Sequence, residues 1–364
     1  MRTDGTEKDA AAALEALRIM KRDAPAPAPE QAAERKPAGE VAKKWAAALP
    51  TETKLKTRII KEAAVTSFVI HYGPTRAIAS ATGADVGAWL DALGRGGLAT
   101  PTLVNKASYL AGFFKFAQSR GWYPKGNNPA RGLVAYGPSA KRARRGEGFK
   151  PFTPEQIAML YAPNAVAKLS PGAQWGALLG LHTGARVSEV GQLRLVDFVE
   201  RDGLPCVRIT DEGSGQSVKT DKSDRTVPLH PALIDLGLLN RVAALHAAGE
   251  TRLFPKAKVG GVNGMGNWLS KAFSYHIQRE KVTVEKGRLG FHSLRSTLIQ
   301  RMQDAKVHAE VRAAIEGHEL DDEHHASYSR DITPAEMLDA LKKVSFGLDM
   351  DGLRAVLKDT TTAE

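Results

Sequence analysis

The sequence predicts an α+β fold: mainly helical with a small β-sheet, divided between a helical domain and a larger mixed α/β domain. Three observations predict it. Apolar residues recur at three- and four-residue steps through residues 41–135, the signature of amphipathic helices. β-like runs are confined to two short stretches, LPCVRIT and RTVPL, separated by the turn-rich EGSGQSVKTDKSD. Between the helical block and the mixed region lies AKRARRGEGFKPFTPEQ, basic and glycine-containing, with no apolar period.

Taken in order, residues 1–40 read as an appendage. EKDAAAALEALRIMKR has the composition of a short helix, and the alternating prolines of APAPAPE then suit a stiff linker. Residues 41–135 read as the helical domain. In TPTLVNKASYLAGFFKFAQSRGW, the positions Leu103, Ala107, Leu110, Phe114 and Ala117 fall on one helical face. VGAWLDAL gives another helix, with Asp85 expected at its N-cap, and Gly126, Asn127, Asn128 and Pro129 punctuate the end. Residues 136–150 read as a basic linker and 151–346 as the mixed domain, with 347–364 left as a tail. The mixed domain opens on Thr153-Pro154-Glu155-Gln156, where Thr153 caps, Pro154 suits the first turn and Gln156 completes a capping box. AQWGALLGLHTGARVSEVGQL reads as helix, glycine turn, helix; GFHSLRSTLIQRMQDA and PAEMLDALKKVSF read as helices. In the last of these Met337, Leu338, Leu341 and Val344 share a face that can pack on its own domain.

Composition narrows the class. The 364 residues are 43% hydrophobic and 25% charged, ordinary for a chain with a buried core. No apolar run reaches the roughly 20 residues of a membrane span, and the N-terminus shows no secretory h-region. The single cysteine, Cys206, excludes a disulfide framework and a cysteine-based zinc site, and fits a reducing compartment. The net charge is +11, and all of it lies in one block: residues 51–150 hold 16 Lys/Arg against 5 Asp/Glu, while the rest of the chain is balanced. A concentrated basic block is what a nucleic-acid-binding surface needs, because each phosphate neutralised releases counterions. Lys106 in the helical block and Lys141, Arg142, Arg144 and Arg145 in the linker are the candidate DNA contacts.

Four pieces carry candidate chemistry. LHTGARVSEV sets Arg186 just past a Thr-Gly turn, with Glu189 one helical turn later. SVKTDKSDRTVPL sets Lys219 near a hairpin tip. HSLR puts His292 and Arg295 at i and i+3, on one helix face. EGHELDDEHHASYSR holds Gly317-His318 and, ten residues on, Tyr328. Singly, each has an ordinary explanation: a surface arginine paired with Glu189, a solvated hairpin lysine, a chance H-x-x-R, a loop histidine, a half-buried tyrosine.

Together, in this order and spacing, they resemble the tyrosine recombinase family, which includes phage integrases. L-x-T-G-x-R-x-S-E, a hairpin lysine before R-T-V-P-L, H-x-x-R, then G-H and a tyrosine is that family's catalytic order. Leu253-Phe254-Pro255 falls where the family often has a similar turn. The helical block ending in Asn128-Pro129 looks like its core-binding domain, and the resemblance spans roughly residues 41–345. Two departures stand near His318: Glu316 precedes Gly317 where a leucine is usual, and His325 stands three before Tyr328 where a threonine is frequent. Lys222 is the alternative to Lys219; the V-K-T context favours Lys219.

The resemblance implies a helical core-binding domain and a mixed α/β catalytic domain that cleaves and rejoins DNA through a 3′-phosphotyrosyl bond, with no cofactor, metal or ATP. Arg186 and Arg295 would bind the nonbridging oxygens of the phosphate, where charge gathers in the transition state. His292 would handle a proton near the nucleophile, His318 would hydrogen-bond the phosphate, and Lys219 would protonate the leaving 5′ oxygen. Tyr328, a phenol of ordinary pKa about 10, would attack, with Glu189 as structural support. The competing metal reading is weaker: His324 and His325 are adjacent, so on a helix they point about 100° apart and chelate one ion poorly. Two other functions stay open, a type IB topoisomerase-like activity and a DNA-binding protein with a silent site. The implied partners are double-stranded recombination sites, a homotetramer on DNA, and DNA-bending or directionality factors. The implied location is a bacterial cytoplasm or nucleoid, or a phage-infected host.

Overall fold

The computed structural model describes residues 35–51, 53–134, 146–220, 223–318 and 331–358. The chain divides into two compact units, Met1–Tyr136 and Gly137–Glu364. The expected helix at 7–22, its proline linker, and most of the basic linker lie outside the described residues.

Among the described residues, the first unit contains the helices α1 (Ala38–Ala47), α2 (Leu55–Tyr72), α3 (Gly83–Arg95) and α4 (Thr100–Ser119). The apolar periodicity read in α4 is its buried face: Ala107, Leu110, Phe113, Phe114 and Ala117 are buried, and Leu103 packs at the edge. They meet Phe68 and Tyr72 of α2, Trp89 of α3 and Trp45 of α1 in one aromatic core, with Phe68 edge-on to both Trp89 and Phe114. The N-cap of α3 differs from expectation. Thr82 is the cap, and Asp85 is its reciprocal partner one turn in, accepting from the Thr82 backbone N–H at 2.8 Å. The acid therefore sits in the first turn, where the helix dipole favours it.

The second unit begins with α5 (Pro154–Leu160), and Thr153 and Gln156 form the expected capping box. Then come α6 (Pro163–Val166), α7 (Pro171–Thr183) and α8 (Val187–Gly191). A three-stranded antiparallel sheet follows in the order β1 (Phe198–Arg201), β2 (Leu204–Ile209), β3 (Arg225–Pro228). The two β-like runs are β2 and β3, paired Cys206 to Pro228 and Ile209 to Arg225. The four-residue β1 was not legible in the sequence. The helices that follow among the described residues are α9 (Pro231–Asp235), α10 (Leu238–Ala247), α11 (Asn267–Arg279), α12 (Phe291–Asp304), α13 (Ala309–Glu316), α14 (Pro334–Lys342) and α15 (Met350–Lys358).

Helix α7 is the centre of this unit. All of Gly172–Thr183 is buried, and it packs against α11, α12 and α8. Helices approach so closely here that Gly180 faces the Phe291 ring with no room for a Cβ. Helix α14 packs on β3 and α13 of its own unit through Met337, Ala340 and Leu341. The residues 347–364 read as a tail contain α15, whose Leu353 and Leu357 are buried in the core. Among the described residues, no helix is long and apolar enough to cross a membrane.

Candidate active site

The glycine turn after α7 places the first arginine. Gly184 adopts φ +63, a left-handed conformation that costs a glycine nothing, and ends α7. The chain then reverses into α8, with Arg186 at its N-cap position. Glu189, three residues on, reaches back. Its Oε2 accepts from the Arg186 backbone N–H at 2.9 Å and its Oε1 from Arg186 Nη1 at 2.6 Å. Arg186 Nη1 also donates to Ser223 Oγ at 3.3 Å. Glu189 is buried, while the Arg186 side chain remains partly exposed.

A second arginine completes this support. Arg225, buried at the start of β3, donates to Glu189 Oε2 at 3.1 Å, to the Ile315 carbonyl at 2.8 Å and to the Ser223 carbonyl at 2.8 Å. It ties α8, β3 and the end of α13 together. Burial alone would raise the Glu189 pKa, but the Arg225 charge and the Arg186 hydrogen bonds outweigh it and hold the carboxyl below its ordinary value.

Helix α12 brings the third arginine. Arg295 is 2% exposed and donates to the Gly184 carbonyl at 2.9 Å and the Glu316 carbonyl at 2.7 Å. These bonds fix the guanidinium plane between two chain ends, while each terminal nitrogen keeps a second hydrogen. Burial, with Arg186 and Arg225 nearby, lowers its pKa to about 10, so it stays charged at neutral pH. His292, one turn earlier, is accessible at the surface and packs edge-on to Phe149, over whose ring Arg288 stacks at 4.3 Å. Its pKa is lowered by partial burial and then by the charges of Arg295, Arg186, Arg288 and Lys219. Lys219 itself is exposed, on the segment between β2 and β3.

Helix α13 ends at Gly317, with φ +63, and the chain turns to His318. The His318 backbone N–H donates to the Ala313 carbonyl at 3.1 Å. Its half-exposed ring sets Nδ1 3.2 Å from Glu316 Oε2. Partial burial, then Arg295, Arg186, Arg225 and His292, lowers its pKa to about 4.

The structure thus brings Arg186, Glu189, Lys219, His292, Arg295 and His318 to one electrostatically coupled site. Tyr328, the alternative lysine Lys222, the basic residues Lys141, Arg142, Arg144 and Arg145, and the histidine pair His324 and His325 lie outside the described residues. Lys106 is on α4 in the other unit, partly buried. Among the described residues, no cluster of His, Cys, Asp or Glu is arranged to hold a metal ion. Two members of the site escaped sequence reasoning. Arg225 gives no signal of its own, because its partner Glu189 is 36 residues away. Glu316 was visible only as an acid in a place where leucine is usual.

The architecture matches solved structures across most of its length. A λ integrase fragment (residues 75–356), crystallised as a dimer bound to a COC′ core site, superimposes with a TM-score of 0.57. It is 18% identical, over 80% of this chain and 94% of that one. The chain has the fold of these recombinases. XerH site-specific recombinase, in a post-cleavage complex with palindromic difH substrate, gives a TM-score of 0.57 at 14% identity, covering 78% of this chain and 88% of its own. The Tn1549 transposon integrase with circular-intermediate DNA gives 0.53 at 15% identity, covering 82% and 97%. No protein-family model and no curated protein sequence matches the chain. What the chain shares with these structures is the fold, α+β with a small antiparallel sheet.

Proposed function

We propose that the chain is an integrase-type, site-specific DNA recombinase that cleaves and rejoins strands through a 3′-phosphotyrosyl bond formed by Tyr328. The observation that carries this reading is the convergence of Arg186 and Arg295 beside His292, His318 and Lys219, on the fold described above. Two guanidinium groups fixed by Glu189, Gly184 and Glu316 are preorganised donors for the nonbridging oxygens of a phosphodiester. Preorganisation matters because the donors then need not reorient as charge grows on those oxygens.

In this reading the Tyr328 oxygen attacks phosphorus and the 5′ oxygen leaves, taking a proton from Lys219. The lysine's exposure lets it engage DNA that covers the site. His292 takes up the phenolic proton, directly or through water; its lowered pKa leaves the ring neutral and able to accept at neutral pH. His318 donates to a nonbridging oxygen. The phosphotyrosyl bond keeps the energy of the broken phosphodiester, so a 5′-hydroxyl can reverse the attack without ATP. The partners are double-stranded recombination sites and further copies of the chain, four at synapsis, with accessory factors that bend DNA or set direction. The place of action is the cytoplasm or nucleoid of a bacterial host. The basic helical unit favours recombination over topoisomerase action, which needs no sequence preference.

The test is to trap the adduct. Nicked genomic or phage DNA fragments are incubated with wild type and with Tyr328→Phe, boiled in detergent and examined for covalently bound protein. A 3′ adduct in wild type alone, insensitive to chelator and confined to particular sequences, supports the reading. An adduct that survives in Tyr328→Phe, or scattered cleavage without sequence preference, overturns it.

A further inference from the structure

Among the described residues, Glu316 is an acid beside Arg295 and His318 whose presence the proposed chemistry does not require. Its side chain is 3% exposed, its Oε2 lies 3.2 Å from His318 Nδ1 and 3.7 Å from Arg295 Nη2, and its backbone carbonyl accepts from Arg295. Its Oε1 is buried and receives no hydrogen bond from a described residue. A carboxylate in such a place loses the water that would stabilise it, whereas a protonated carboxyl leaves a far weaker acceptor unsatisfied.

The charged groups around it oppose this effect. Arg295 approaches from α12, Arg225 from β3, Arg312 from its own helix and Arg186 from the start of α8. Helix α14, which also packs on α13, buries only Pro334, Met337, Ala340 and Leu341 there, with Asp339 and Lys342 exposed. Burial raises the Glu316 carboxyl to about 7 despite these four arginines. Partial burial, then Arg295, Arg186 and Arg225 with His292, opposes a charge on His318. Glu316 Oε2 and His318 Nδ1 lie 3.2 Å apart, within reach of one shared hydrogen, so the protonation of one bears on the other.

We propose that Glu316 is a positioning residue that shares one proton with His318, and that this proton keeps His318 Nε2 a hydrogen-bond donor to the scissile phosphate. The inference rests on the recombinase reading for the identity of the phosphate, but the proton arrangement stands on the geometry alone. With the proton on Glu316, the carboxyl O–H donates to Nδ1, which leaves the hydrogen of the neutral imidazole on Nε2. Once the pair loses that proton to solvent, the imidazole hydrogen moves to Nδ1 and donates to the carboxylate. Nε2 then presents a lone pair to the phosphate, and an attractive contact becomes repulsive. Strand cleavage accordingly falls as pH rises through the titration of the pair. A leucine at this position has no such dependence, because it neither gives nor accepts the Nδ1 hydrogen.

The experiment has two arms. In the first, the full-length protein and Glu316→Gln are compared in single-turnover adduct formation from about pH 5.5 to 9, on a site recovered by the trapping experiment. The Gln amide donates to Nδ1 at every pH, so the variant is expected to match wild type at the acid end and to lose the alkaline decline, which in wild type approaches tenfold per pH unit. Glu316→Leu is expected to lose the decline too, with a lower rate throughout because nothing holds the ring. A decline unchanged in both variants assigns it to His292, Lys219 or Tyr328 and overturns the proposal. In the second arm, the imidazole nitrogens of 15N-histidine-labelled protein without DNA are followed by NMR, with His318→Gln for assignment. A change of His318 from Nε2–H to Nδ1–H with rising pH, absent in Glu316→Gln, supports the shared proton; one tautomer throughout overturns it. A protein that makes no adduct but shows the tautomer change would refute the recombinase reading and leave the proton arrangement standing.

Discussion

Glu189 grips Arg186 at both ends of the residue, by the backbone N–H at 2.9 Å and by Nη1 at 2.6 Å, while its second oxygen also holds the buried Arg225 at 3.1 Å. One carboxylate therefore fixes the reach of a guanidinium that remains partly exposed and neutralises another that does not. The arrangement explains how a short helix of five residues, α8, can carry a precisely aimed arginine: its first turn is anchored to β3 through side chains rather than through its own ladder.

Glu189→Gln is expected to cost about 3–5 kcal/mol of unfolding free energy at pH 7, the usual cost of leaving a buried charge uncompensated. The pH dependence fixes the cause. The Glu189 carboxyl is held below its ordinary value of 4.5 in the folded protein, so its contribution is fully present above that value and is lost as pH falls through the folded one. The gap between wild type and variant should narrow on acidification. Urea midpoints at pH 7 and near pH 4 check this, and an equal gap at both would show that the carboxylate charge is not the source.

Replacing Arg186 and Arg295, the two arginines proposed to bind phosphate, by lysine separates chemistry from support. Arg186→Lys should lower adduct formation by about 10²–10³ while leaving the melting temperature nearly unchanged, because the side chain is partly exposed and a lysine cannot bridge two oxygens. Arg295→Lys should lose activity and stability together. Its guanidinium satisfies the buried Gly184 and Glu316 carbonyls, each worth about 1–3 kcal/mol when orphaned. Thermal melts beside single-turnover rates decide it; two variants with the same stability would remove the structural role of Arg295.

Close backbone packing gives a third prediction. A Cβ on Gly191, at the end of α8, would stand 2.6 Å from Gly266 Cα and 2.8 Å from Gly266 N, at the start of α11. Neither neighbour is a side chain that can swing away, so Gly191→Ala must displace α8 or α11. The expected cost is about 1–3 kcal/mol, with a disproportionate loss of cleavage, since Arg186 begins the displaced helix. Gly87→Ala in α3 is the control. Nothing lies within 4 Å of its Cβ, and the alanine should add up to about 1 kcal/mol. Chemical denaturation of both variants measures the contrast.

The sequence made legible whatever is encoded locally. Arg186 with Glu189, His292 with Arg295, the Thr153 capping box and the apolar face of α4 all depend on residues three or four apart, and the structure has them. The capping pair at Thr82 and Asp85 was seen from only one side, because either residue type can cap and only the backbone shows which does. Arg225 and the pairing of Glu316 with Arg295 were hidden because the partners come from different elements. Helix α15 escaped because nine residues with Gly352 inside carry weak propensity; burial of Leu353 and Leu357 stabilises it.

The basic block is the last feature open to direct measurement. Residues 51–150 hold an excess of eleven positive charges, and an excess of this kind binds DNA by releasing counterions, so the logarithm of affinity should fall linearly with the logarithm of salt concentration. Each lysine or arginine that contacts a phosphate contributes about 0.9 to that slope. Lys106→Ala should therefore lower its magnitude by about 0.9 and weaken binding to specific and unrelated duplexes alike. Replacing Lys141, Arg142, Arg144 and Arg145 by alanine together should lower it by a multiple of that step, one for each that touches the backbone. If adduct chemistry depends on Arg186 and Arg295 as proposed, both variants should cleave at the wild-type rate once DNA saturates them. Fluorescence anisotropy across a salt series measures the slope. A slope unchanged by either substitution would mean that other cations of the block carry the phosphate contacts, and a lowered saturating rate would place the substituted residues in the chemistry rather than in the grip.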